Sequence, residues 1–455
     1  MTHPNENLWP REFLRAFQYK PSSRFAALTW GSRGDVQPFV SLGAELVRRG
    51  HRVTLAARAP FRAFVEEHGL DFFELEEDGT EELMHSLASS DGGPEGVKLF
   101  VAWQRRMVPS QFRQFWKATE GADVLINNAA FTGPALHVAE RRGVPIFQAF
   151  FDPGFIPTRR YCVSGNRIQE GNALRNVATT RLKNLAGGLF TWDLVNAWRR
   201  EHRLPVDLLG ESHRPGRLFR LPVLVAWSPE LLERPDDWPE WFTQTGRWRL
   251  PAQQRPGERL KDFMAAGAPP VYLGFGSWGV HDKTAVTELL LEALRVTGQR
   301  GILHRNTVDG RSTFPADVYV DDNLPHDWLF PRVKAVVHHG GAGTTGAVAT
   351  AGVPSVIVPA FFAQEVWGDI VRRKGIGTML SRRELRVDTL ASALREVAQP
   401  HVAERARALG ARACQEGAEV LAADEIERRL KEARLRPPRP AAGHPVSPRA
   451  SDRPG

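Results

Sequence analysis

The run AVVHHGGAGTTGAVATAGVPSVIVPAFFAQEVWGD, Ala335 to Asp369, decides the fold. It opens on Ala335, Val336 and Val337, which read as a strand buried on both faces. His338 and His339 end that strand. Gly340, Gly341, Ala342 and Gly343 form a small-residue turn, and a helix fits Thr344 to Ala351, stopped by Gly352 and Pro354. A second apolar strand, Ser355 to Val358, ends at Pro359. Strand, glycine turn, helix, strand is a unit of a doubly wound α/β sheet. Glycines let a ligand approach the backbone, and a helix N-terminus presents free N–H groups and partial positive charge. The unit therefore suits a phosphate or pyrophosphate. Thr344 and Thr345 are placed to cap the helix and to donate to phosphate oxygens. Neighbours on a strand point to opposite faces, so one histidine faces the crevice and the other is packed.

The same grammar recurs near the start. Phe25 to Trp30 reads as a strand and Gly31-Ser32-Arg33-Gly34-Asp35-Val36-Gln37-Pro38 as a turn. A helix then fits Phe39 to Arg49, with Phe39, Leu42, Leu46 and Val47 on one side, before the strand Arg52 to Ala56. The turn does not spell G-x-G-x-x-G, which disfavours a nicotinamide oxidoreductase. Asp35 stands just beyond a strand's carboxyl end. Two readings stand for it: a general base, or a cap of the following helix. Val271 to Gly279 is a third strand with a glycine-rich exit carrying Ser277. The Pro- and Gln-rich stretch from Leu250 to Pro256 reads as an interdomain linker.

Read together, HHGGAGTT, GSRGDVQP, the GFGS at 274–277 and the DDNLPHDW at 321–328 resemble the family-one glycosyltransferases, especially the sterol glucosyltransferases and the glycopeptide-antibiotic glycosyltransferases. The resemblance covers most of the chain. It implies the GT-B fold, two Rossmann-like α/β domains facing each other across a cleft. It implies an inverting, metal-independent transfer of sugar from a nucleotide diphosphate donor, UDP- or dTDP-linked, to a hydroxyl of a small apolar acceptor. Asp35 would deprotonate the acceptor. His338, Gly340, Gly341, Ala342, Gly343 and Thr344 would hold the diphosphate, helped by Gly34 and Ser277. Leu324 would meet the base through its backbone, and Trp328 would either stack on the base or join the core. Gln364 would hold the sugar. Relatives place an acid directly before that glutamine, but here the position is Ala363, and Glu365 follows. Phe151, Asp152 and Phe155 would line the acceptor site, although Asp152-Pro153-Gly154 is also a turn signal. No metal site is expected: Asp321 and Asp322 are adjacent and diverge.

The domains expected are an arm at 1–22, an acceptor domain at 23–245, a linker at 246–256, a donor domain at 257–410, a helix crossing back at 411–435 and a disordered basic tail at 436–455. Composition narrows the alternatives. The 455 residues, 42% hydrophobic and 25% charged, suit two globular domains. Two cysteines exclude a disulfide framework, and the expected location is cytoplasmic, with no membrane-spanning segment. The net charge of +8 comes partly from Arg436, Arg439, Arg449 and Arg453, and no nucleic-acid motif accompanies it. Lys98 to Lys117 mixes aromatic and basic residues and reads as core-facing, lipid-facing or an acceptor wall. No cofactor beyond the nucleotide sugar is expected, and the protein would be a monomer or homodimer. A lapsed auxiliary relative and a nucleotide-sugar epimerase or hydrolase remain as alternatives.

Overall fold

The computed structural model describes residues 9–76, 79, 86, 94–129, 133–207, 221–250, 255–276, 282–322, 324–360 and 362–435. Two parallel sheets organise the chain. The first contains β1 (Arg24–Leu28), β2 (Arg52–Arg58), β3 (Asp71–Leu75), β4 (Val124–Asn128), β5 (Ile146–Phe150), β8 (Val223–Val225) and β9 (Phe242–Gln244), in the order β3-β2-β1-β4-β5-β8-β9. A small antiparallel hairpin, β6 (Tyr161–Ser164) and β7 (Arg167–Glu170), stands apart. The second sheet holds β10 (Val271–Gly274), β11 (Gly301–His304), β12 (Val318–Asp321), β13 (Ala335–His338), β14 (Ser355–Ile357) and β15 (Gly377–Met379), in the order β12-β11-β10-β13-β14-β15. Strand order reverses beside β1 in one sheet and beside β10 in the other. Ligands bind at such switch points, outside the carboxyl ends of the strands.

Helices cover the sheets. They are α1 (Arg33–Arg48), α2 (Arg62–Glu66), α3 (Pro94–Ala118), α4 (Pro134–Arg142), α5 (Ala173–Leu189) and α6 (Trp192–Glu201) around the first. Around the second lie α7 (Glu258–Ala265), α8 (Lys283–Thr297), α9 (His326–Leu329), α10 (Ala342–Thr350), α11 (Phe362–Lys374), α12 (Val387–Val397) and α13 (Pro400–Ala413). The last helix, α14 (Ala418–Leu435), returns to the first domain. Its Ala422, Ile426 and Leu430 share a core with Leu46 of α1, and Arg49 pairs with its Asp424 at 2.6 Å. Of the N-terminal segment, Trp9 and Phe13 are buried in that same core, and the Trp9 indole donates to the Ile146 carbonyl. Trp248 and Leu250 join it too, so the stretch between the sheets is packed where it is described. A second apolar cluster joins the domains, with Trp227 edge-on to Trp367.

Several expectations change. The first helix starts at Arg33 and not after Pro38, because Ser32 and Asp35 form a capping box that nucleates it. Pro38 then removes one ladder bond inside the helix without ending it. Pro109 likewise lies inside α3, whose Met107, Phe112 and Phe115 are buried in the core. The C-terminal helical run breaks after Ala413, and Gly417, at a left-handed φ of 56°, precedes α14. Residues 161–170 form the β6–β7 hairpin. Gly165 and Asn166, both at positive φ, make its two-residue turn.

Candidate active site

The two switch points face each other. α1 begins beside the carboxyl end of β1, and α10 begins beside that of β13. The first turns of these helices meet: a Cβ built on Gly343 would lie 4.0 Å from the Gly34 Cα. Two positive helix ends in contact repel unless an anion lies between or beside them.

Asp35 occupies the third position of α1. Its Oδ2 accepts from the Ser32 N–H at 2.8 Å and from the Ser32 hydroxyl at 3.1 Å. Gly31 is required here: its φ is 124°, and a side chain would collide with the Asp35 carboxylate. Burial pushes the Asp35 carboxyl up to about 6, against the Ser32 hydrogen bonds, Arg58 and Asn128, which favour the charged form. Asp35 is therefore both capping partner and perturbed base candidate, and the two readings of the sequence are not exclusive.

The second turn is built differently. The N-cap of α10 is Gly341, which gives no side-chain cap, so its leading N–H groups lack one. Gly340 has φ of 85°, and a Cβ there would press on Ile357 and on the Gln364 carbonyl. Ala342 and Thr344 are half-buried beside Gly343, while Thr345 is buried. The two histidines differ in exposure, and among the described residues each keeps one buried ring nitrogen without a hydrogen-bond partner, Nε2 of His338 and Nδ1 of His339. His338 is fully buried, its Nδ1 accepts from the Gly340 N–H at 3.1 Å, and burial holds it neutral. His339 is the half-buried one, wedged between the two glycine turns. A Cβ on Gly276 would fall 2.8 Å from its ring and one on Gly341 2.5 Å. Burial lowers it to about 4, so it is a neutral donor or acceptor at the crevice.

Other candidates separate. Ser277 lies outside the described residues. Leu324 is buried in an apolar cluster with Tyr272 and Phe330, leaving its backbone as the group able to meet a base. Trp328 packs against that cluster with Arg332 over its ring. The Gln364 Oε1 accepts from the Ala360 N–H at 2.7 Å, which leaves its NH2 as the group able to turn outward. Phe151 stands edge-on to Phe39 and Trp248, so it belongs to the core margin, while Phe155 is 37% exposed. Asp152 caps its turn by accepting from the Gly154 N–H at 2.6 Å, and burial raises its carboxyl to about 6. Its other oxygen is buried without a hydrogen-bond partner. Asp321 accepts from Tyr319 and from the Asp322 N–H.

Sequence reading missed the cations. Arg33 at the start of α1 and Arg247 between the sheets are both held below the usual guanidinium range by burial. Both lie close enough to His326 that, after burial and His304, their fields help hold it down to about 3. The Arg247 side chain packs on Gly346 of α10. Two guanidiniums from different parts of the chain thus flank the meeting helix ends. No local pattern marks them, because only the closed tertiary structure brings residues 33, 247 and 326 together.

Residues 25–158 match the glycosyltransferase family 28 N-terminal domain, and residues 289–431 match the erythromycin biosynthesis protein CIII-like C-terminal domain. The chain is 32% identical over 416 residues to a sterol 3-beta-glucosyltransferase of Arabidopsis thaliana; the match covers 87% of this chain and spans 66% of the relative's length. The glycotransferase of kitacinnamycin superposes with a TM-score of 0.66 at 23% identity, over 90% of this chain and 100% of that one. Glycosyltransferase VinC in complex with dTDP superposes at 0.59 and 17%, over 90% and 99%. The architecture is the GT-B fold, with one Rossmann-like domain on each side of a cleft. The chain belongs to the family-one GT-B glycosyltransferases.

Proposed function

We propose that this chain is an inverting glycosyltransferase moving a sugar from a nucleotide diphosphate to a hydroxyl of an apolar sterol-like or natural-product acceptor. The observation that carries the reading is the meeting of an uncapped helix N-terminus with a perturbed carboxylate, Asp35, across one cleft. The diphosphate lies on the free N–H groups of α10, with His339 and Thr344 beside it. Its negative charge offsets the two facing helix dipoles and the guanidiniums of Arg33, which is exposed, and Arg247, which is half-buried. Asp35 takes the proton from the acceptor hydroxyl. That oxygen attacks the anomeric carbon from the face opposite the leaving diphosphate, so configuration inverts. Charge building on the leaving group is met by fixed N–H groups and cations already in place, without a requirement for a metal ion. Asp152, with one unpaired buried oxygen, orients the acceptor beside Phe155. The donor side is assigned to residues of about 252–400 and the acceptor side to about 22–245.

The test is a panel of UDP- and dTDP-sugars screened by thermal shift, followed by assay of nucleoside diphosphate release with and without apolar acceptors. Expected are a melting rise with one nucleotide class and acceptor-dependent release. Binding without turnover would identify a lapsed auxiliary protein. Release or sugar isomerisation that ignores the acceptor would identify a hydrolase or epimerase.

A further inference from the structure

Helix α5 is turned inside out. Its inward face carries Asn176, Thr180 and Asn184. Asn176 donates to the Arg159 carbonyl at 2.9 Å, Asn184 donates to the Phe155 carbonyl at 2.8 Å, and Lys183 donates to the Gly154 carbonyl. These bonds clamp the helix to the segment that carries Asp152 and Phe155. The outward face carries leucines: Leu174 is 82% exposed, Leu182 68% and Leu189 49%. At 100° per residue these three fall within an arc of about 80°, together with Ala178. An ordinary surface helix buries its leucines and exposes its amides; this one exposes three of its leucines, with Leu185 of the same arc half-buried, and turns its amides inward.

The charge on the helix selects what covers that face. Residues 173–189 contain Arg175, Arg181 and Lys183 and no carboxylate. Arg175 and Arg181 are exposed beside the leucine arc, and neither has an ion-pair partner among the described residues. A second copy of the helix would bring four arginines together, two from each, so self-pairing is opposed. The Arg- and Pro-rich sequence at 436–455 carries the same sign and few apolar residues, so it does not suit the face either. An apolar arc with arginines beside it matches a bilayer that has anionic headgroups, with leucines entering the acyl boundary and guanidiniums meeting phosphates.

We propose that the outer face of α5 docks this chain on an anionic lipid surface. The helix is hydrogen-bonded directly to the segment bearing Phe155 and Asp152, so docking sets the candidate acceptor site against the membrane. An apolar acceptor then enters from the lipid phase and need not cross water. The docking itself stands on α5 alone; only its use in acceptor delivery rests on the proposed transfer.

The experiment is vesicle flotation of the full chain, with no turnover required. Vesicles of phosphatidylcholine alone are compared with vesicles containing about one-third phosphatidylglycerol. Expected is flotation with the anionic vesicles, weak flotation with the neutral ones, and loss in high salt. The triple variant Leu174→Gln, Leu182→Gln, Leu189→Gln should bind at least roughly tenfold more weakly. Its melting temperature should be unchanged, because the three side chains are exposed. Arg175→Gln with Arg181→Gln should lose the anionic preference. Wild-type protein that ignores anionic vesicles would overturn the proposal, as would a leucine variant that floats like wild type. Unchanged flotation with a raised KM for a water-soluble acceptor would make the leucine face a wall of the acceptor site instead.

Discussion

The two domains begin their ligand-facing helices with related turns and treat them in opposite ways. At α1 the end is closed by the protein itself: Ser32 caps, Asp35 bonds back, and a carboxylate answers the dipole. At α10 the N-cap is a glycine, and among the described residues no side chain caps its leading N–H groups. One end therefore carries its own negative charge, and the other is left for a ligand to supply one. In the proposed function the first end supplies the base and the second the anion cradle. At the approach of Gly34 and Gly343, a methyl on Gly343 would lie in ordinary contact, 4.0 Å from the Gly34 Cα.

The largest break in this comparison should come from Asp35→Asn. Asparagine keeps the capping acceptor and loses the basic oxygen. Transfer should fall by roughly a hundredfold or more. Stability should not fall with it. The folded protein holds the Asp35 proton up to about 6, above the unfolded value, so this group's contribution is complete at low pH and is lost as pH rises through 6. An asparagine side chain cannot ionise, so the variant should melt no lower than wild type at pH 8. Equal transfer rates in the two proteins would leave Asp35 as a cap alone.

The other end is tested by its histidines. His339→Ala should weaken nucleotide binding by roughly tenfold or more, since a buried polar contact is worth about 1.5–3 kcal/mol when one partner is charged. His338→Ala should leave nucleotide affinity near normal and lower stability by about 2 kcal/mol, through the cavity and the unpaired Gly340 N–H. Nucleotide titration and melting of both variants measure this; reversed effects would restore the opposite facing.

A third test sharpens the base side by pH. In the proposed reaction Asp35 acts in its ionised form, so kcat/KM should climb as pH rises through about 6, falling roughly tenfold per unit below it. Asp152 is also raised to about 6. Asp152→Asn should therefore retain the climb while raising acceptor KM. Loss of the climb in Asp152→Asn would move the base role to that residue.

What could be read in advance followed from local chemistry. The strand-turn-helix-strand unit at 335–357 appears within two residues of where Ala335, Thr344 and Ser355 put it, because glycines and apolar runs act locally. Pro38 misleads because a strong capping box outweighs one lost hydrogen bond. The Gly165-Asn166 turn carries a hairpin signal in the sequence. Arg33 and Arg247 were not legible at all: their role depends on a closure joining residues more than two hundred apart in sequence. The facing of His338 and His339 needed the strand's end fixed to a single residue, which is where boundary prediction is weakest.

The smallest expected effect concerns the sugar, at the rim of the same cradle. Ala363, Gln364 and Glu365 lie in the first turn of α11. Gln364 spends its oxygen on the Ala360 N–H, so it can offer a sugar only donors. A carboxylate at 363 would accept from sugar hydroxyls, and a methyl group accepts from none. Glu365 does not replace it: two positions along a helix turn a side chain by about 200°, to the other side of the axis. Under the proposed function, a deoxy or N-acetylated sugar is the expected donor ahead of glucose. Ala363→Asp should raise kcat/KM for a glucose donor by roughly three- to tenfold, less than a full buried hydrogen bond, because the residue is only half-buried. Glu365→Ala should change it less than about twofold. Steady-state kinetics with matched glucose and 2-deoxy or N-acetyl donors measure both. Collapse of glucose transfer in Glu365→Ala would mean the acid of this site has moved two residues along the helix, and that α11 starts differently when a donor is bound.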